Sequence, residues 1–253
     1  MEMGCGKTIT AIAITGCLYQ FEKVSRVLVV APLSILGVWE EEFERFSAFP
    51  FSLTVLKGSV AKKREQLEEI ADKGLQIVVV NYGSAWRLEK ELKNFDADLI
   101  IADEGHKIKS AQTAAGKCMH ALGDRARYKL LLTGTLITNK EIDVFPQYRF
   151  INSEIFGTSF YVFRNRYFDM PGYGNHTPVF RKHLREDFLK KMHSVAYRVT
   201  KAECLDLPDI TEEVRTVELE PKAMKLYTNL ERESYTQMAG SEVSAVNVLT
   251  RLL

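Results

Sequence analysis

Three short stretches hold residue types that could do phosphate chemistry. The chain opens on "MEMGCGKT", which looks like the end of a phosphate-binding loop. Backbone N–H groups of a glycine-rich turn, with the N-terminus of the next helix, form an anion cradle. Gly4 and Gly6 would shape that turn, Lys7 would reach the outer phosphates, and the Thr8 hydroxyl would hold Mg²⁺. The full pattern, G-x-x-x-x-G-K-[ST], puts Met1 at its first glycine, so the match is partial. The competing reading is a glycine-bearing terminus with no ligand. In "LIIADEGH" (99–106) an apolar run ends in two carboxylates. Asp103 could hold Mg²⁺ through water, and Glu104 could orient and deprotonate an attacking water. The plain alternative is a solvated turn. "LLLTGTLITN" (130–139) adds the hydroxyls of Thr133 and Thr135 around Gly134, a turn composition common after strands.

Such groups need a scaffold that brings them to one edge. The runs "RVLVVAP" (26–32), "QIVVVNY" (76–82), "DLIIADE" (98–104) and "KLLLTGT" (129–135) are apolar on consecutive positions, with "SLTVLKG" (52–58) a weaker fifth. Strands buried on both faces read this way, which implies a parallel sheet. Helical patterns lie between them, at Ile9 to Leu18, Ser34 to Phe46, 61–72, 84–93 and 111–122. The first is apolar nearly all round and is expected to be a buried helix. Alternating strands and helices indicate a doubly wound α/β domain, whose ligands bind beyond the carboxyl ends of the strands. After about residue 150 the texture changes. Residues 160–201 carry nine Arg/Lys against three Asp/Glu, many aromatics and a "MPGYGNHTP" turn. A helical insertion with a hairpin-like loop is expected, and "EVRTVEL" (213–219) then resumes strand character. The basic segment reads as a DNA-phosphate surface or as a solvated insertion around an aromatic core.

The bulk numbers exclude several classes. A formal net charge of +1 over 253 residues implies no global attraction to nucleic acid. Four cysteines without a C-x-x-C pair argue against zinc or a disulfide framework and suit a reduced intracellular compartment. No apolar run has the length of a membrane span, so no membrane partner is expected. Trp39 and Trp86 read as packing residues and Glu40–Glu44 as a solvated face. Cys5 is a small filler or an alkylation-sensitive thiol at a helix N-terminus.

MGCGKT, APLSILGVWEEEF, VVNY, DEGH and LTGTLITN, in this order, resemble the N-terminal motor lobe of Snf2-type ATPases in helicase superfamily 2. The resemblance continues through "FGTSFYVFRNRY", "YRVTKAECLDLPDITEEVRTVEL" and "VNVLTRLL". It implies a RecA-like lobe with a mainly parallel sheet and a helical insertion, using ATP and Mg²⁺ to translocate on double-stranded DNA and remodel protein–DNA complexes. It places Gly4, Gly6, Lys7 and Thr8 in the phosphate loop, and Asp103, Glu104 and His106 in the DEAH-like box. Thr133, Gly134, Thr135 and Asn139 fall in the segment coupling hydrolysis to DNA, and Pro32, Ser34, Asn81 and Tyr82 in segments touching DNA. Gly105, Leu136 and Thr138 stand where Ala, Pro and Gln are usual, with small changes in turn stiffness expected. The implied divisions are an ATP-binding lobe (1–150), a basic and aromatic insertion (151–212), and a return strand and helix (213–253). The location would be cytoplasmic, nucleoid or nuclear. The resemblance also implies an upstream strand with an adenine-reading segment and a second lobe with arginine fingers. The chain is therefore expected to be a fragment, with a gap in its sheet, unstable and inactive alone. Two other readings remain at this point: an inactive nucleotide- or DNA-binding remnant, and an unrelated P-loop enzyme such as a small-molecule kinase.

Overall fold

β-Branched residues pack well on a pleated surface, and the apolar runs rich in them form strands. In the computed structural model the chain runs α1 (Lys7–Gln20), β1 (Arg26–Ala31), α2 (Leu36–Phe46), β2 (Ser52–Val55), α3 (Val60–Glu68), β3 (Gln76–Asn81), α4 (Tyr82–Ala85), α5 (Glu89–Phe95), β4 (Leu99–Asp103), α6 (Ala114–Gly123) and β5 (Tyr128–Leu132). There follow α7 (Val144–Ile151), α8 (Ser153–Phe156), α9 (Phe160–Tyr167), β6 (Phe168–Asp169), β7 (Val179–Phe180), α10 (Arg185–His193) and α11 (Lys201–Cys204). The structure describes residues 1–2, 4–71, 73–108, 110, 112–137, 140–170, 178–204, 206, 213, 216, 218–233, 235–238 and 241–244.

The five strands β1 to β5 form one sheet in the order β2-β3-β1-β4-β5, every neighbouring pair parallel. Side chains alternate across it, because successive Cβ atoms point to opposite faces. Leu28, Val30, Val78, Val80, Ile100 and Ala102 pack with Tyr82, Leu88, Leu92, Met119 and Leu122 of α4 to α6 and the turn between α4 and α5. Val27, Val29, Ile77, Val79, Leu99 and Ile101 pack with Ala11 and Ile12 of α1 and Trp39 and Phe43 of α2. This is the expected doubly wound arrangement. Ser59, Asn81 and Thr113 each accept a backbone N–H at the start of α3, α4 and α6, which fixes where those helices begin.

Two expectations are corrected. Helix α1 is not buried all round: only Ala11, Ile12, Thr15 and Gly16 are buried, while Ile9 and Ile14 are exposed. It lies against one face of the sheet, so only one stripe can be covered. The sheet has no internal gap either, since its five described strands pair in unbroken succession. β5 is paired on one side, and its five residues are all half-buried, whereas β4 is buried throughout.

The segment 144–193 builds a second core from rings. Phe145, Tyr148, Phe156, Phe163, Tyr167, Phe168 and Phe188 are buried together. Helix α7 joins the two cores: Phe150 packs against the sheet layer and Val144, Phe145 and Tyr148 against the rings. β6 and β7 pair antiparallel, giving the expected hairpin around the turn at 170–178, most of which lies outside the described residues. Residues 1–207 form one compact unit and 208–253 another. The second unit contains α12 (Pro221–Glu233) and an antiparallel hairpin of β8 (Tyr235–Met238) and β9 (Ser241–Ser244). The strand expected at 213–219 falls largely outside the described residues; Glu213, Thr216, Glu218 and Leu219 are described and carry no strand.

Candidate active site

In a parallel sheet all carboxyl ends share one edge, and the sequence motifs sit there. Pro32 and Ser34 follow β1, Asn81 ends β3, Asp103 ends β4, and Thr133 to Thr135 follow β5. Gly4 and Gly6 have φ of 84° and 78°, left-handed conformations that suit glycine. Gly6 caps α1, and Lys7 and Thr8 occupy its first turn. Lys7 Nζ donates to the Glu2 carbonyl at 3.2 Å, and the Cys5 N–H donates to the same oxygen at 3.3 Å. A cleft of ≈ 300 Å³ beside the loop is lined by Gly4, Gly6, Lys7, Thr8, Ile9, Glu42 and Phe46. Glu42 therefore belongs to this cleft and is not simply part of a solvated face; Glu40 pairs with Lys57 at 3.6 Å.

Asp103 is buried, and both carboxylate oxygens are held. Oδ2 accepts from Trp39 Nε1 at 3.0 Å, and Oδ1 accepts from the Glu104 N–H at 2.9 Å. Burial pushes its pKa up, an effect opposed by those two hydrogen bonds and by the positive charge of Lys7. Glu104 has φ of 50°, unusual for a residue with a side chain. Its Oε2 lies 3.1 Å from His106 Nδ1. Left-handed backbone at Glu104 turns the chain sharply between two carboxylates of opposite setting, one buried and one half-exposed.

Gly105 now has a reason. A Cβ there would come within 2.3 Å of Leu131 Cγ and Cδ2, so the Leu131 side chain fills the place an alanine methyl would take. After β5, Thr133 Oγ1 accepts from the Thr135 N–H at 3.1 Å and donates to the Thr135 carbonyl at 3.0 Å, closing the turn around Gly134. Gln147 of α7, fully buried, donates to the Leu136 carbonyl at 2.9 Å and pins this segment to the helix joining the two cores. Asn139 and Thr138 lie outside the described residues.

The remaining motif residues divide. Ser34 is exposed and Pro32 half-buried. Asn81 Oδ1 accepts from the Ser84 N–H at 2.8 Å as a helix cap. Tyr82 is buried, and its hydroxyl donates to the Asp103 carbonyl at 2.7 Å, so it links two strand ends. The basic insertion is also more committed than its composition suggests. Arg181 binds Asp169 at 2.8 Å and the Arg166 carbonyl at 3.0 Å, and Asp187 lies within 3.6 Å of Arg166 and 3.4 Å of Lys191. Trp39 is the site residue that sequence reasoning missed. Its apolar surroundings in α2 gave a packing role, and only the fold shows its N–H aimed at Asp103. Trp86, by contrast, is exposed under the Arg87 guanidinium.

A parallel α/β lobe with a glycine-rich loop, a lysine and paired carboxylates at one edge defines a P-loop-type nucleotide-binding lobe. The family profile described as "SNF2-related domain" matches residues 1–253, and the chain belongs to that family. It is 32% identical over 158 residues to a "Probable ATP-dependent DNA helicase CHR23" of Arabidopsis thaliana, covering 62% of this chain and 15% of that protein. It is 26% identical over 253 residues to a "DNA repair and recombination protein RAD54-like" of Gallus gallus, covering 92% and 34%. The structure of the Sulfolobus solfataricus SWI2/SNF2 ATPase core in complex with dsDNA superimposes with a TM-score of 0.66 at 26% identity, covering 99% of this chain and 51% of that one. The chain thus spans about a third or less of those two relatives and about half of the solved core. Among the described residues no helix is long and apolar enough to cross a membrane.

Proposed function

We propose that this chain is the nucleotide-binding motor lobe of a DNA-dependent ATPase that translocates on duplex DNA and remodels protein–DNA complexes. The observation that carries the reading is the glycine-rich loop itself, in which left-handed Gly4 and Gly6 lead Lys7 and Thr8 into the first turn of α1, together with Asp103, Glu104 and the Thr133–Thr135 turn at the strand ends. In this reading residues 1–150 bind ATP, 151–212 form the insertion and 213–253 lead onward.

The loop N–H groups and Lys7 turn from the Glu2 carbonyl to the phosphates when ATP enters. The Thr8 hydroxyl and the Asp103 carboxylate are hard oxygen donors, the set that suits Mg²⁺, which takes one or two carboxylates and completes its shell with water and phosphate. Bound there, the ion would neutralise charge on the outer phosphates. Trp39 holds the Asp103 carboxylate in place. Glu104 takes a proton from the attacking water, and His106, bonded to Glu104, orients it. Thr133, Gly134, Thr135 and Asn139 pass the state of the site to α7 through Gln147. Pro32, Ser34 and Asn81 would contact the DNA backbone; Tyr82 ties that segment to Asp103 from inside.

The test is Lys7→Ala in a form joined to a Snf2-type second lobe. Mg²⁺–ATP affinity should fall at least about tenfold, the scale of one lost charge-assisted contact. Unchanged affinity would take the loop out of the nucleotide site.

A further inference from the structure

The phosphate loop carries a cysteine, and a second cysteine stands against it. Cys5, between Gly4 and Gly6, is buried; Cys204, at the end of α11, is exposed. Distant segments meet here through backbone contacts. The Glu2 N–H donates to the Val199 carbonyl at 2.9 Å, and the Lys201 N–H donates to Glu2 Oε2 at 2.9 Å. The turn bearing Cys204 is itself fixed. Glu203 Oε2 accepts from the Thr200 N–H at 2.7 Å and the Thr200 hydroxyl at 2.8 Å, and the Cys204 thiol donates to the Thr200 carbonyl at 3.3 Å. These contacts bring the turn that bears Cys204 against the loop that bears Cys5.

We propose that Cys5 and Cys204 form a redox modification site, closed by a disulfide-class oxidant into a disulfide that locks the phosphate loop against nucleotide. The locking part rests on the reading of this loop as a nucleotide site. In the present arrangement the Cys5 N–H and Lys7 Nζ are spent on the Glu2 carbonyl. Phosphate binding must free both. A bond from Cys5 to α11, whose Lys201 already holds Glu2, would keep the loop bonded to itself.

The chemistry balances with oxidised glutathione as the oxidant. The exposed Cys204 sulfur, once deprotonated, attacks one glutathione sulfur; the glutathione S–S bond breaks and one glutathione leaves as thiolate. The deprotonated Cys5 sulfur then attacks Cys204 Sγ, and the second glutathione leaves. Two protons pass to the two glutathione thiolates, the protein pair loses two electrons, and glutathione disulfide gains them. Cys204 holds its proton more tightly than an ordinary thiol, first through its interaction with Cys5, then through the nearby negative charges of Glu2 and Glu203.

The test uses the full chain in a Cys17→Ser background, which removes the other exposed thiol. After exposure to oxidised glutathione, non-reducing peptide mapping should find Cys5 joined to Cys204, with the intact mass lower by two hydrogens. Affinity for a fluorescent ATP analogue with Mg²⁺ should fall at least about tenfold and return with dithiothreitol. Cys204→Ser should keep the affinity and lose the sensitivity. Glutathione adducts without the cross-link would overturn the pairing, and a cross-linked chain that still binds the analogue would overturn the lock. If the reduced chain binds no analogue, the nucleotide reading fails by itself. The map then still decides the pairing, and tryptic cleavage after Lys7, expected to slow several-fold in the disulfide form, still decides the lock.

Discussion

The sheet core and the ring core stabilise neighbouring parts of one unit by different means. The first is aliphatic and layered: β1, β3 and β4 are almost wholly buried, and Asn81 and Asp103 sit where β3 and β4 end. The second is aromatic, with Phe156 in ring contact with Tyr148, Phe163, Tyr167 and Phe188. Around it Arg166, Arg181 and Lys191 pair with its own Asp169 and Asp187. Strand ends leave backbone and side chains free to meet a ligand, whereas a ring cluster uses its polar rim to hold itself together. In the proposed reading, chemistry belongs to the first region and support to the second.

The largest effect should come from the rings. Phe163→Ala removes a fully buried ring, a change worth about 3–5 kcal/mol. Hydrogen exchange should show the loss concentrated in 144–193, with β1, β3 and β4 still protected. Equal loss of protection in both regions would mean that the two cores fold as one. Next, Glu104→Gln in a form joined to a second lobe should lower ATP hydrolysis by roughly 10²-fold or more with little change in melting temperature. A variant with ordinary turnover would remove Glu104 from the mechanism.

Smaller effects probe the rim. Arg181→Gln breaks the bond to Asp169 and should cost about 0.5–1 kcal/mol in urea unfolding, while the salt dependence of duplex binding stays the same. A slope flatter by about 0.9 would show instead that Arg181 contacts a DNA phosphate. The smallest concerns the joint between α6 and α7. Arg149 binds Asp124 through two hydrogen bonds of 2.6 and 2.8 Å and holds its carboxyl below the usual range. A lowered carboxylate pKa stabilises the fold above the unfolded value of about 3.9, and that contribution is lost as pH falls through the folded value. Asp124→Asn should therefore cost about 0.2–1 kcal/mol near neutrality, discounted for exposure, and progressively less in acid. A cost that does not shrink in acid would mean that charge is not the source.

Much of this was legible in the residues. The runs at 26–32, 76–82 and 98–104 announced buried parallel strands because no polar position interrupts them. "KLLLTGT" has the same texture, yet β5 is half-buried; composition reports affinity for a core, not a place at the edge of a sheet. Likewise α1 reads as apolar all round, but which stripe is covered depends on the face it meets. The phosphate loop, the carboxylate pair and the Thr133–Thr135 turn were readable because their spacing is local. Trp39 beside Asp103, Leu131 filling the space at Gly105, and Cys204 against Cys5 were not. Each joins residues distant in sequence, and no local pattern encodes which side chains the strand order will bring together.

The central claim is that the carboxyl edge of this sheet hydrolyses ATP in response to duplex DNA. The most direct measurement is the steady-state rate of Mg²⁺–ATP hydrolysis with and without duplex DNA, in a form joined to a Snf2-type second lobe, for the natural residues and for Lys7→Ala. The account predicts a rate that rises with duplex DNA and is lost in Lys7→Ala. A rate indifferent to both DNA and the Lys7 substitution would contradict it.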